Sequence, residues 1–318
     1  MRQTKYRTRR AILSAATTAA IVGTAGCTGQ NEDTGVAEDE LNQAADYIER
    51  NGVLLDEFEE AVSVSTSETS PNFEYTTFEQ NIGQASRHVE NAQDAAPDAY
   101  GEDIDFFRSV LDYQVEIGEA NSLVEDYLNC LDTMDAMISA DRWEDATDQH
   151  DDCIDTLHDI ESQTEASVNA LDVIDRSDLS QSLEFEYNAT ENELALVQSE
   201  LPPIFDFHDG MQLLLEGTTQ MMDSIDDFED DNTGAAKRGL ARAEGDFADA
   251  ESIYDQLEDN PDLSDDLRPD VIEMKCFVSA FEDASGHWYN AIEAYENRNE
   301  SRYMNELDAV DAALQRCG

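Results

Sequence analysis

The chain has 318 residues, of which 18 are Lys or Arg and 74 are Asp or Glu, for a formal net charge of −56. That balance excludes direct nucleic-acid binding, because no basic patch is present to displace counterions from a phosphate backbone. It does not signal disorder: 12 Phe, 11 Tyr, 8 Met and 2 Trp recur at regular spacing, which chains unable to bury a core do not show.

The N-terminus differs in kind from the rest. Arg2, Lys5, Arg7, Arg9 and Arg10 crowd the first ten positions, and no acidic residue precedes Glu32. The run from Ala11 to Ala25 is rich in Ala and Thr and falls short of the about 20 apolar residues that a spanning helix needs. A basic start, a brief apolar stretch and small residues before a cut describe an export signal. Arg9-Arg10 followed by Ala11-Ile12-Leu13 resembles the twin-arginine motif, a receptor-read address. Thr24-Ala25-Gly26-Cys27 resembles a lipobox, although the usual box carries an aliphatic residue where Thr24 stands. The resemblance implies cleavage before Cys27 and lipidation of that cysteine, with residues 1–26 as signal and 27–37 as lipidated N-terminus and polar tether. A signal cut elsewhere and an uncleaved anchor are the alternatives. The expected location is the outer face of the cytoplasmic membrane, reached through the N-terminal lipid.

Removing residues 1–26 takes away five basic residues and no acidic one, leaving 13 basic against 74 acidic residues and a formal charge of −61. The acids run along the whole chain, densest at Asp226-Asp227-Phe228-Glu229-Asp230-Asp231. Such even spread resembles the surface of haloarchaeal exported lipoproteins. A nucleic-acid mimic or an acidic calcium buffer would concentrate the charge in one region.

Pro is scarce and no alternating strand run appears, so the body is expected to be all-α. The first helix is predicted from Glu38 to about Ser63, with Leu41, Ala45, Ile48, Leu55, Phe58 and Val62 on one side and Asn51-Gly52 as a weak point. A second, about 74–96, carries Phe78, Ile82, Ala85 and Val89, and Pro97 ends or kinks it. A long third helix covers about 103–139. Leu123, Tyr127, Cys130, Met134 and Met137 step by four and three along it. After Ala140-Asp141-Arg142 the series resumes as Trp143, Ala146, His150, Cys153, Leu157 and Ile160. Folding these stripes as a hairpin sets Cys130 opposite Cys153, which predicts a disulfide.

Phe185-Glu186-Tyr187 repeats Phe73-Glu74-Tyr75, and Ser70–Ile82 aligned with Ser182–Leu194 gives five identities in thirteen positions. That admits a second region, 176–318, as a degenerate repeat of 38–175 without establishing one. Pro202-Pro203 is expected to break the next helix, which restarts and runs to about Glu229. A return helix covers 235–257, and a last hairpin joins 270–297 to 301–316. Its stripes are Phe277, Phe281, Ala284, Trp288, Ile292, Tyr295 and Tyr303, Leu307, Val310, Leu314, Cys317. Cys276, one residue off its stripe, is the expected partner of Cys317. An even cysteine count beyond Cys27 fits an oxidising exterior. The tip at 140–146 resembles the turn of a tetratricopeptide repeat, but tips near 141, 232 and 299 do not keep that family's period of about 34. The expected fold is therefore all-α, with long antiparallel helical hairpins forming a bundle or short superhelix.

Chemistry is sparse. No Gly-rich phosphate loop, nucleophile elbow, H-E-x-x-H or C-x-x-C occurs. The candidate metal ligands are His150 and His158, two helical turns apart, and a core histidine is the commoner role for His150. His208 and His287 stand alone in sequence, and His88 sits on a polar side. Met211 to Met222 and the aromatics near Trp288 are read as core. Asn188-Ala189-Thr190 and Asn299-Glu300-Ser301 are N-glycosylation sequons. The expected function is non-enzymatic: a lipid-anchored cell-surface protein that binds another, unknown protein or scaffolds an envelope, with no cofactor. The alternative is an extracytoplasmic bundle that binds a small ligand or metal. Because the Debye length shrinks from about 10 Å at 0.1 M to about 3 Å at 1 M salt, the mature chain should lose helicity and its sharp thermal transition when dialysed from molar salt into dilute buffer. Circular dichroism with salt re-addition checks this, and unchanged melting in dilute buffer would contradict it.

Overall fold

In a computed structural model of the protein, residues 32–64, 71–174, 181–261, 263–265 and 267–317 are described. They form eight helices and no strand: α1 (Glu32–Val64), α2 (Tyr75–Ala95), α3 (Gly101–Ser139), α4 (Trp143–Val173), α5 (Gln181–Glu229), α6 (Thr233–Glu258), α7 (Arg268–Glu296) and α8 (Glu300–Leu314). The all-α class is as expected. Arg9, Arg10 and Cys27 lie outside the described residues. Helix α1 already begins at Glu32, so residues 32–37 are helical where a tether was expected. Two reasons are local: acids in a first turn suit the helix dipole, and Ala37, fully buried, extends the Leu41 seam by one turn.

Two compact units emerge, and they interleave in sequence. One contains residues 130–154 and 202–317, the other 32–129 and 155–201. The expected chain-order division at 176 is not the one the packing makes, because α3, α4 and α5 each contribute residues to both units.

In the unit that holds 130–154 and 202–317, three hairpin tips share one design. Each connection has three residues, 140–142, 230–232 and 297–299. In each the middle or second residue is left-handed: Asp141 (φ 57°), Asp231 (φ 62°) and Arg298 (φ 55°). The amide after it reaches back five residues, Arg142 N–H to Met137 O (3.0 Å), Asn232 N–H to Asp227 O (2.8 Å) and Asn299 N–H to Ala294 O (2.8 Å). The left-handed residue itself donates three residues back, to Ile138, Phe228 and Tyr295. This is the Schellman closure that satisfies a helix's last carbonyls, usually built on glycine. The same closure recurs at all three tips.

The α5–α6 hairpin is held in register by rings seated over glycines. A Cβ on Gly210 would stand 2.7 Å from Tyr254 Cζ, and one on Gly217 would stand 2.6 Å from Phe247 Cε1. Seven residues up α5 correspond to seven down α6, and seven further up α5 Ser224 Oγ stands where a Cβ on Gly239, eight residues before Phe247, would be. Tyr254 also donates its hydroxyl to Phe207 O at 3.1 Å. In the other unit Phe78 occupies the same kind of notch over Gly118.

Pro202 and Pro203 do not break α5; both lie inside it. An interior proline costs about 3 kcal/mol or more. Against that, Leu194, Val197, Leu201, Ile204 and Phe207 keep one phase across the prolines and are each at most 5 % exposed. At about 1.5–3 kcal/mol per fully buried apolar side chain, continuous burial outweighs the lost bonds. Asn51-Gly52 is not a weak point either. Asn51 is wholly buried; its Nδ2 donates to Phe78 O (3.2 Å) and Gln114 Oε1 (3.3 Å), and its Oδ1 accepts from Asn81 Nδ2 (2.9 Å). Phe185-Glu186-Tyr187 lies inside α5, whereas Tyr75 opens α2, so the two triplets are not placed alike.

The drawn stripes are close to the buried arcs but offset. On α3 the buried line is Val124, Tyr127, Leu131, Met134 and Ile138, while Leu123, Cys130 and Met137 are half-buried at its flank. On α7, Val271, Met274, Val278 and Ala284 are buried, and Phe277, Phe281 and Trp288 form the half-buried shoulder. On α4 the seam runs on beyond Ile160 through Thr164, Ser167 and Leu171, all at most 4 % exposed. The two hydroxyls bond to the carbonyls of Ile160 and Gln163, which satisfies them within the seam.

The notch predicts a contrast between two glycines. Gly217→Ala should destabilise, since overpacking costs typically about 1–3 kcal/mol and exceeds the roughly 1 kcal/mol gained in helix propensity. Gly245→Ala on α6, where a Cβ would meet nothing within 4 Å, should stabilise by up to about 1 kcal/mol. Urea unfolding in molar salt measures both, and a stabilised Gly217→Ala would contradict the notch.

Candidate functional site

Three places in the unit of 130–154 and 202–317 gather chemistry: a buried histidine pair, a pair of cysteine staples and an aromatic hairpin tip. His150 lies on the α4 seam between Ala146 and Cys153, a full helical face committed to burial. His208 follows Phe207 on α5. The rings are 0 % and 1 % exposed, their centroids 5.1 Å apart at 40°, and His150 Nε2 stands 3.1 Å from His208 Nδ1. His150 Nδ1 has no hydrogen-bond partner. A bare acceptor there costs less than a stranded N–H, which assigns the shared proton to His150 Nε2, donating to His208. Burial in an apolar surrounding disfavours the charged form and lowers both rings, His150 to about 4 and His208 to about 3, the latter helped by His150 itself. Both are neutral at ordinary pH.

His208 is therefore not solitary, and the metal candidates do not come together. His158 is exposed and faces Glu161 at 3.6 Å. Among the described residues no group of three or more His, Cys, Asp or Glu could hold a metal ion, whereas zinc sites use at least three protein ligands. His287 pairs with Glu306 at 2.8 Å. In the other unit His88 meets Glu40 at 2.6 Å and stacks on Tyr47; the histidine's hydrogen bond holds the Glu40 carboxyl below its usual range.

Both predicted cysteine pairs stand at disulfide distance. Cys130 and Cys153 have their sulfurs 2.11 Å and their Cα atoms 5.6 Å apart, and Cys276 and Cys317 have theirs 1.97 Å and 5.9 Å apart. Beside the second pair lies a groove of about 340 Å³ lined by Glu258, Lys275, Ser279 and Arg316. Its cations are engaged: Lys275 with Asp255 (2.6 Å) and Glu258 (2.7 Å), Arg316 with Asp283 (2.6 Å).

The third place is the α7–α8 tip. Phe228 of α5 packs edge-on against Tyr295 (5.2 Å between centroids) and Trp288 (6.4 Å), and Tyr295 lies 6.0 Å from Tyr303. The outer members are open to solvent, Tyr295 at 50 % and Met304 at 51 %. With Glu296, Arg298, Asn299, Glu300 and Tyr303 they line a cavity of about 640 Å³. Reading Tyr295 as core missed this, because the stripe carries it past the last covered turn of α7. The sequons also differ in setting. Asn188 is exposed but lies inside α5, with Thr190 1 % exposed. Asn299 is non-helical (φ −97°, ψ 79°), and its side-chain oxygen accepts from Arg302 N–H at 3.1 Å.

No family model, curated protein or solved structure matches the chain. Among the described residues no helix is long and apolar enough to cross a membrane.

The histidine pair makes a pH prediction. Its folded pKa values lie below the unfolded value of about 6.5, so as pH falls through 6.5 the unfolded chain takes up protons that the folded chain refuses, and stability drops toward pH 4. Asp209, raised by burial and by Asp206, works in the opposite sense, so a comparison of variants is needed. His150→Leu with His208→Leu should flatten the acid loss, while His208→Leu alone should cost about 1–3 kcal/mol by stranding His150 Nε2. Urea unfolding from pH 7 to 4 in molar salt reads both; an unaltered acid loss in the double variant would contradict the assignment.

Proposed function

We propose that the chain is exported, cut before Cys27 and held at the outer face of the cytoplasmic membrane by lipid on that cysteine, where its helical hairpins bind another protein or order an envelope assembly. The observation that carries this reading is how the interior is used. Rings fill the glycine notches, the buried histidines bond to each other, and the two described cavities open at the surface. Chemistry is left to the outer face. The N-terminal signal supports the location, and α1 beginning at Glu32 leaves only residues 28–31 as the tether to a lipidated Cys27. An acidic surface of this density supports a working environment of high salt.

A second reading, an interior site for a cation or small ligand, is favoured by one observation, the unpartnered Nδ1 of His150. Two nitrogens already bonded to each other make it the weaker reading.

Fractionation of a native-salt host tests the proposal. The wild-type chain should sediment with membranes and be cut by protease added to intact cells. Cys27→Ser should appear in the medium, and Arg9→Lys with Arg10→Lys should stay in the cytosol. Cross-linking on intact cells in molar salt should yield one stoichiometric partner by mass spectrometry. Wild-type chain in the cytosol, or no cross-linked product, would defeat it, and stoichiometric metal in chelator-free protein that is lost in His150→Leu would favour the second reading.

A further inference from the structure

Of the two sequons, only one is presented by the folded chain. Transfer of a sugar needs the asparagine amide and the hydroxyl two residues on to be reached together from outside, on backbone free to bend into a transferase. Asn188-Ala189-Thr190 fails on both counts, being helical with its Thr buried. In Asn299-Glu300-Ser301 the asparagine stands outside the helix as its N-cap, and the serine, in the first turn of α8, is exposed. Asn299 is exposed too and, directly after left-handed Arg298, closes the three-residue connection 297–299. Its Oδ1 is occupied as the cap of α8, while Nδ2 carries the two hydrogens at which glycosylation occurs.

The neighbourhood supplies the second observation. Asn299 itself lines the aromatic cavity of about 640 Å³, together with Tyr295, Tyr303 and Met304. That volume falls within the about 300–1,000 Å³ of small-molecule sites. Half-exposed Tyr295 and Met304 place apolar surface in the lining of this cavity on a strongly acidic chain, which suits a ligand with one apolar face. A sugar fixed to Nδ2 begins at the edge of this cavity, within reach of the Tyr rings for its C–H face and of Arg298 and Glu300 for its hydroxyls.

We infer that Asn299 is the glycan-bearing residue of this protein and that the attached sugars lie in the Tyr295–Tyr303–Met304 groove, covering the α7–α8 tip. In the transfer, Nδ2 forms a bond to the anomeric carbon of a lipid-linked sugar phosphate as the bond from that carbon to the phosphate oxygen breaks. The lipid phosphate leaves with the bonding pair, and one Nδ2 proton goes to a base of the transferase. Oδ1 stays free of the new bond and continues to cap α8. The inference rests on export to the outer face, as proposed above.

Chain recovered from the outer face of a native-salt host is digested and its glycopeptides are mapped by mass spectrometry. The Asn299 peptide should carry sugar and the Asn188 peptide should not. Ser301→Ala keeps the Asn299 cap and should abolish the modification. Hydroxyl-radical oxidation of folded protein should then modify Met304 several-fold more in Ser301→Ala than in wild type, with Met222, which is 41 % exposed on α5, unchanged. Bare Asn299 on surface-located chain overturns the inference and leaves the exported reading standing. Equal Met304 oxidation in both proteins overturns the seating of the glycan. Chain found only in the cytosol overturns the exported reading and this inference with it.

Discussion

A ring lying over a helical glycine is the contact on which the α5–α6 hairpin turns. Two helices can close to that distance only where a Cβ is missing, and Gly210 and Gly217 leave room for Tyr254 and Phe247 one heptad apart. A slip of one residue along either helix would drive each ring into a side chain, so the register is fixed by exclusion as much as by attraction. The contact is also indifferent to salt. Dispersion and apolar burial persist in brine, where ion pairs at the surface are screened. For a chain of this charge, specificity has to come from such contacts.

The few cations are used accordingly, at junctions between helices. Arg268, at the start of α7, gathers the carbonyl oxygens of Glu258 (2.7 Å), Asn260 (3.1 Å) and Leu263 (3.3 Å) and so holds the α6–α7 connection by charge-assisted bonds to backbone. Lys275 bridges back to Asp255 and Glu258, whose carboxylates raise its pKa. Lys237 reaches Glu296 at 2.7 Å and ties the start of α6 to the end of α7. Exposed pairs of this kind are worth at most about 1 kcal/mol. Their value lies more in which helix ends they join than in their strength.

Much of this was legible from periodicity alone. The stripes of α3 and α4 crossed at the right turn, which is why Cys130 and Cys153 could be paired before any coordinates. What failed did so for identifiable reasons. Local rules gave Pro202-Pro203 as a break and Asn51-Gly52 as a weak point, but continuous burial of Leu201, Ile204 and Phe207 outweighs the first, and the Asn81–Asn51–Gln114 bonds absorb the second. His208 looked solitary because its partner is 58 residues away on another helix, a distance no spacing rule covers. The glycine notches left a trace that could have been read, since Gly210 and Gly217 stand one heptad apart opposite aromatics one heptad apart. The three tips were legible near 141, 232 and 299, but their left-handed residues were not, because Asp and Arg stand where glycine is the usual signal.

The tip at Arg298 shows where this economy of contacts ends. At the Asp231 tip the last turns of α5 and the first of α6 are flanked by α7 and α8 residues, and Phe228 is enclosed by Trp288, Tyr295 and Tyr303. At this tip Tyr295 of α7 and Met304 of α8 remain about half exposed among the described residues. In dilute solution two half-exposed apolar side chains would be unremarked. In concentrated salt, which strengthens effective apolar burial, the same surface becomes a point of self-association unless something hydrophilic is seated on it. A hydrophilic cover attached at the edge of that groove would satisfy the constraint without altering a single packed contact beneath it.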